Sequence, residues 1–141
     1  MKVLEILSES KNDGSELISA IGNFLPLAMK HLKLKSLPKI NFGRNVGSQH
    51  DHPTFGIYHH DSDKSIELDI EERHPIDIIR TLAHELVHYR QDLEGKLDNT
   101  SWTTGSPTED EAHKEAGVMM REFNKQYPSL LKTAKAISFN K

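Results

Sequence analysis

Two histidines four residues apart are the side chains of this sequence best suited to chemistry. His84 and His88 flank Glu85 within the segment from Thr81 to Tyr89. On a helix, positions i and i+4 lie one above the other, so both imidazoles can bind one metal ion. Glu85 lies about 100° round the helix, where it is poorly placed as a third ligand but can reach a metal-bound water. That is the position of a general base in zinc-dependent hydrolysis.

The residues around this motif follow the period of a helix with one buried face. Apolar residues recur at helical spacing, and a polar stripe on another face carries both histidines. The apolar positions are Ile78, Leu82, Leu86, Tyr89 and Leu93, and the polar ones are Asp77, Thr81, His84, His88 and Gln91. The alternative is a surface helix with two chance histidines, but a buried helix whose single polar stripe carries both is what a metal cleft requires. The sequence therefore predicts a metal site for one ion per chain, and imidazole with carboxylate favours Zn²⁺.

Length, charge and cysteine content limit the class of protein. The 141 residues suit one domain with one modest core. A net charge of −3 with 28% charged residues provides no basic field for nucleic acid or an anionic membrane. We expect no membrane span, which needs roughly 18 apolar residues, and no signal peptide, because Glu5 interrupts the first apolar run. The absence of cysteine excludes disulfides and fits a reducing, cytoplasmic compartment.

The N-terminal half is expected to form one helix and a small sheet. Residues 1–13 are a candidate flexible arm, and apolar spacing predicts a helix from Ser15 to about Leu34. Pro26 removes a backbone hydrogen bond inside this helix, so we expect a kink there rather than two helices. Alternating side chains predict strands at residues 39–42, 54–59 and 65–70, with the last two joined as a hairpin. The expected sheet is three-stranded and antiparallel.

Two further helices are expected after the sheet. The histidine helix would begin near Pro75 and end at Gly95, which suit a first helical turn and a C-terminal cap. Ser106 would be the N-cap of the next helix, with Pro107 in its first turn and Glu109 closing a capping box. The fold class is therefore α+β. The helix that begins after Ser106 has an apolar face, formed by Ala112, Ala116, Met119, Met120 and Phe123. A short last helix is expected from the apolar residues Leu130, Leu131, Ala134 and Ile137.

Two histidines leave a catalytic zinc site incomplete, because such sites normally use three protein ligands and keep one position open. A third histidine within the next six residues, as in metzincins, is excluded because Gln91 and Glu94 stand there. The third ligand is therefore expected from the helix that follows.

Four residues of that helix are in range. Glu109 is explained as the capping-box carboxylate. His113 falls nearly opposite the expected ligand face, which predicts a solvent-exposed or outer-cleft position. Glu111 and Glu115 both flank the apolar face, with Glu115 nearer its centre. Periodicity leaves the choice between these two glutamates open.

The segment from His84 to His88, together with Ser106-Pro-Thr-Glu-Asp-Glu-Ala112 and Ala116, resembles gluzincin-type peptidases. The closer resemblance is to small ImmA/IrrE-like peptidases and to peptidase-like proteins of tailed phages, over about residues 35–125. It implies a single zincin-like domain over residues 1–141. In that group the second glutamate of a Glu-x-Glu-Ala-x-x-x-Ala pattern binds zinc, which implies Glu111 rather than Glu115. An acid at position 115 departs from the apolar residue usual there.

Other polar side chains could complete the site. Candidate stabilisers of a tetrahedral intermediate are Tyr58, His59, His60, Trp102 and Tyr127. A second histidine-rich patch, His50-Asp-His52 with His59-His-Asp61, could hold another metal. Such residues are more often solvated loop and strand-end side chains. Successive strand residues face opposite sides, so His59 and His60 cannot both enter one cleft.

These observations favour a zinc metallopeptidase acting on a peptide or protein. Zinc on His84, His88 and Glu111 would activate water, and Glu85 would take its proton and pass it to the leaving amine. The alternative is a zinc-stabilised structural or protein-binding module, of a phage virion or a regulatory system, with vestigial activity. A third hypothesis is a protease specific for one partner. The resemblance places such proteins in the cytoplasm, or with the virion if phage-encoded.

Overall fold

The computed structural model describes residues 15–43, 55–60, 64–98 and 105–128. They form an α+β fold, as predicted. The elements in chain order are helix α1 (Ser15–Leu32), strands β1 (Lys39–Gly43), β2 (Gly56–His59) and β3 (Ser65–Asp69), and helices α2 (Pro75–Leu93) and α3 (Pro107–Gln126). The predicted N-terminal arm, the patch at residues 50–52, Trp102 and the short last helix lie outside the described residues.

The sheet is mixed, with strand order β1-β3-β2. Strands β2 and β3 pair antiparallel, as the predicted hairpin requires, with Tyr58 opposite Ile66. Strand β1 runs parallel to β3, with Phe42 opposite Leu68, so the prediction of a wholly antiparallel sheet was wrong. Alternation of side chains shows which face of a strand is buried, but it does not show the neighbour or its direction. Ile66 and Leu68 are fully buried, which fits the central place of β3.

Helix α2 is the central element and contacts both other helices and strands β2 and β3. Pro75 is in its first turn, and the preceding His74 accepts a hydrogen bond at Nδ1 from the Ile76 N–H at 3.0 Å. Gly95 follows the helix with φ of 72°, a left-handed conformation that glycine adopts without strain. Both predicted boundaries are confirmed. Leu93, predicted to lie on the apolar face of this helix, is instead 54% exposed.

Helices α1 and α3 pack together and against α2. Helix α1 runs through Pro26 as one element, and its Phe24 ring meets Phe123 of α3 edge-to-face at 5.5 Å. All five predicted apolar positions of α3 are buried. No helix in the described ranges is long and apolar enough to cross a bilayer.

Strand β2 runs very close to the histidine helix. A Cβ placed on Gly56 would lie 2.5 Å from Cγ2 of Thr81, a distance that no side chain tolerates without movement. Glycine therefore allows the strand to approach α2 one turn before His84. This packing brings the backbone of β2 to the part of α2 that carries Glu85.

Candidate metal centre

Helix α2 places His84 and His88 one turn apart, with ring centroids 4.9 Å apart. The His88 side chain is 1% exposed and that of His84 is 17% exposed. Burial lowers the pKa of His84 to about 4, an effect that the neighbouring His88 and His113 reinforce and Glu109 opposes. A neutral imidazole keeps a lone pair free, so His84 is prepared to bind a metal at neutral pH.

A carboxylate from α3 lies between these imidazoles, and it belongs to Glu109. Its Oε1 is 2.6 Å from Nε2 of His88 and 3.3 Å from Nε2 of His84. The N-cap residue Ser106 orients this first turn, since its Oγ accepts a hydrogen bond from the Glu109 N–H at 3.3 Å. The predicted cap at Ser106 is confirmed. The Glu109 carboxylate, predicted to close a capping box with Ser106, faces the histidines instead.

His113 approaches the same carboxylate from the next turn of α3. Its Nε2 lies 3.5 Å from Oε2 of Glu109, and its side chain is 72% exposed. The ring lies 4.5 Å, centroid to centroid, from that of His84. The expectation of an exposed, outer-cleft residue is confirmed, but the expectation that it faces away from the ligand side was wrong. Residues i and i+4 share a helix face, so His113 lies on the same side of α3 as Glu109.

Glu85 is buried beside this group, with 8% exposure. Burial raises the pKa of its carboxyl well above the usual range, and the charge of Glu109 raises it further. The backbone N–H of Tyr58 in β2 donates a hydrogen bond to this carboxyl and opposes the shift. Glu85 therefore has a raised proton affinity, and the hydrogen bond from Tyr58 orients its carboxyl toward β2.

The other ring nitrogen of His88 is held by Gln91, a fully buried side chain. Oε1 of Gln91 lies 2.8 Å from His88 Nδ1. The amide orientation follows from its Nε2, which donates to the Thr108 carbonyl at 2.9 Å and to Oε1 of Glu111 at 2.8 Å. Gln91 therefore presents an acceptor to His88, and Nδ1 carries a proton. In a neutral ring that tautomer leaves Nε2 with a lone pair facing Glu109.

Glu111, predicted as the third ligand, lies on the outer side of this network. Its Oε1 accepts from Gln91, and its Oε2 is 3.6 Å from Arg90 Nη2. The Gln91 hydrogen bond, with Arg90 and Lys96, lowers the pKa of Glu111 against the effect of burial. Residues two apart on a helix point about 200° apart, so Glu109 and Glu111 cannot both face the imidazoles. Glu109, and not Glu111, therefore lies beside the imidazoles. A metal-binding role for either acid stays a prediction.

Glu115, the less favoured alternative, lies on another flank of α3. Its Oε2 is 2.5 Å from Nε2 of His31 in α1. The structure therefore places Glu115 against a histidine, but not against His84 or His88. This contact ties α3 to the end of α1 and leaves the centre with one acid from α3.

The four described candidates for stabilising an intermediate are dispersed. The Tyr58 hydroxyl donates to Oδ2 of Asp92 at 2.6 Å, and burial together with that contact raises its pKa. His59 lies 2.6 Å from Glu67 through Nε2, and His60 is exposed after β2. Tyr127 caps the far end of α3, roughly 27 Å from Glu109 at 1.5 Å per residue. The backbone N–H of Tyr58, rather than its hydroxyl, reaches the site.

Imidazole nitrogens and carboxylate oxygens are among the donors that zinc takes in proteins. Bonds of about 2.0–2.2 Å in a tetrahedral site place ligand atoms roughly 3.3 Å apart, as observed between His84 and Glu109. Both ring nitrogens of His88 face acceptors, Gln91 at Nδ1 and Glu109 at Nε2. A neutral imidazole has only one N–H, so a favourable contact at Nε2 needs either a second proton on the ring or a metal ion. Entry of an ion requires Glu109 to retreat from His88 by under about 1 Å.

Comparison with protein-family models, with curated proteins and with solved structures gives no match. Sequence reasoning passed over Glu109 and His113 as partners of the histidine pair. The available signal was their i, i+4 spacing, which repeats the spacing of His84 and His88 on a second helix.

Proposed function

We propose that this protein is a zinc-dependent metallopeptidase of the zincin type. His84, His88 and Glu109 would hold the ion, with Glu109 in the role first expected of Glu111. The observation that carries the proposal is the contact between His88 Nε2 and Glu109 Oε1 at 2.6 Å. Because the Nδ1 N–H of His88 already donates to Oε1 of Gln91, a cation between Nε2 and Glu109 would satisfy this buried contact.

Zinc, when bound, supplies a Lewis acid and lowers the pKa of water toward neutrality. The remaining chemistry belongs to the chain. Glu85 accepts a proton during attack on the peptide carbonyl and returns it to the leaving amine. The raised pKa of the buried carboxyl makes Glu85 a stronger proton acceptor while it is ionised. The Tyr58 N–H orients the Glu85 carboxyl through a hydrogen bond.

The decisive experiment compares Glu85→Gln with the wild type, both loaded with zinc. Glutamine keeps the volume but cannot accept the proton, so we expect unchanged metal content and a loss of hydrolysis of roughly 10²–10⁴-fold. Glu94→Gln, on an exposed acid just after α2, is the matched control and should retain activity. Substrates should include a mixed peptide library and candidate partner proteins, because a protease specific for one partner would ignore generic peptides.

The second candidate function is a zinc-stabilised structural or protein-binding module. The observation that favours it is the third imidazole, His113, beside Glu109, because closed sites with four protein ligands are typical of structural zinc. This function predicts that fully loaded wild type cleaves nothing in either substrate set. Glu85→Gln would then match the wild type in every assay, including partner binding.

A further inference from the structure

His113 is exposed but belongs to the metal centre by position. One ligand atom from each of His84, Glu109 and His113 lies within 4.8 Å of the other two. His88 touches the same Glu109 carboxylate from the buried side. Three imidazoles thus lie around the one carboxylate of Glu109, between α2 and α3. Zinc in proteins takes four ligands in its commonest geometry.

The four side chains differ greatly in how firmly they are held. His88 is 1% exposed and is anchored by Gln91, and Glu109 is 17% exposed. His113 is 72% exposed and can leave by a change of rotamer into solvent. An imidazole with this freedom can bind and release a metal without disturbing the helix. The other three ligands would keep the ion in place.

We propose that His113 is a reversible fourth ligand, which closes the metal site at rest and must move out before a substrate carbonyl can approach. This inference rests on the proposed function and adds its regulation. The resting protein would be self-blocked, since the position needed for catalysis is filled by a side chain of the same helix that supplies Glu109. A tightly docking protein partner could displace His113, whereas a short generic peptide would do so poorly.

The test uses the full chain, stripped of metal and reloaded with Co²⁺ or Zn²⁺ alone. We compare wild type, His113→Ala and the control Lys114→Ala, which changes the exposed neighbour on α3. In the wild type and Lys114→Ala, the visible spectrum of bound Co²⁺ should be that of a site with three nitrogen ligands. In the same two proteins, Zn²⁺ should shift the ¹⁵N NMR signals of three histidines. His113→Ala should alter the Co²⁺ spectrum, weaken Zn²⁺ binding by at least about tenfold and bind acetohydroxamate more tightly.

Hydrolysis of short peptides should rise in His113→Ala relative to both other proteins. Circular dichroism checks the fold, which an exposed substitution should leave intact. If the wild type binds no metal, the proposed function itself fails. If metal binds but the Co²⁺ spectrum is the same with and without His113, or the His113 nitrogens do not respond to Zn²⁺, only the fourth-ligand inference fails.

Discussion

Oε1 of Gln91 lies 2.8 Å from Nδ1 of His88, and both side chains are almost fully buried. Because the same amide donates to the Thr108 carbonyl and to Glu111, its orientation is fixed from α3. One residue therefore connects the start of α3 to the ring that faces Glu109. Ligating histidines commonly have such a partner on the second nitrogen, which sets tautomer and orientation.

Gln91→Met should test that connection. Methionine fills similar space but leaves the His88 Nδ1 proton and the Thr108 carbonyl without this partner, at roughly 1–3 kcal/mol for each buried group. We expect lower stability and Zn²⁺ affinity reduced by about 10–100-fold, measured by chelator competition. Gln126→Met, at an exposed site at the other end of α3, is the control. Unchanged zinc affinity in Gln91→Met would show that Gln91 does not position His88.

Replacing each acid of α3 in turn should change the zinc affinity by different amounts. Glu109→Ala removes the carboxylate between the imidazoles, so metal affinity should fall by more than about 100-fold. Glu111→Ala should weaken binding only about tenfold, because it acts through Gln91. Glu115→Ala, at the acid that contacts His31, should leave affinity unchanged. A larger loss for Glu111→Ala than for Glu109→Ala would restore Glu111 as the ligand.

Removing the metal should lower thermal stability, because the ligands come from two helices. A ligand present at about 1,000 times its Kd stabilises the folded state by roughly 4 kcal/mol. For a chain of this size that corresponds to a fall in Tm on the order of 10 °C on chelation. His84→Ala should show no chelator-dependent shift. Equal chelator sensitivity of this variant and the wild type would place the metal elsewhere.

The free energy of unfolding of the metal-free protein should depend on pH through the raised pKa of Glu85. The folded pKa of Glu85 is raised above the ordinary value of 4.5, so its contribution to stability is present below that value and is lost as pH rises through the folded pKa. Near pH 4 the metal-free Glu85→Gln variant should therefore have the same free energy of unfolding as the wild type. As pH rises, the variant should become increasingly more stable than the wild type.

The pKa of His84, lowered to about 4, acts in the opposite sense. Its contribution is present above pH 6.5 and is lost as pH falls toward 4, because the unfolded state binds the proton first. Both proteins share this effect, so it cancels between them. Parallel stability curves across the whole range would contradict a raised Glu85 pKa.

The Tyr58 hydroxyl should be structural rather than catalytic. Tyr58→Phe removes a hydrogen bond to Asp92, which Lys64 also contacts at 2.7 Å, and should cost about 1–3 kcal/mol. The backbone N–H that reaches Glu85 remains, so zinc content and hydrolysis should be kept. Tyr89→Phe, which loses a 3.1 Å contact with Ser36, is the matched control. A selective loss of kcat in Tyr58→Phe would return its hydroxyl to the reaction.

Interactions between residues close in sequence were enough to predict the helix ends and the part of the site that lies on α2. The α-helical period alone places His84 and His88 on one face with Glu85 beside them. Ser106, Pro75 and Gly95 mark helix ends because caps depend on a few neighbouring backbone groups. These interactions span one or two turns, so the sequence contains all the information that they need.

The other half of the site depended on how separate elements pack. Glu109 and Glu111 are equally acidic and two residues apart, and only the crossing of α3 over α2 turns Glu109 to the imidazoles and Glu111 to Gln91. The direction of β1 and the approach of the Tyr58 N–H to Glu85 likewise depend on which strand lies at the centre of the sheet. Burial of the whole core decides these arrangements, because the hydrophobic effect is non-directional and rewards the total apolar area removed from water.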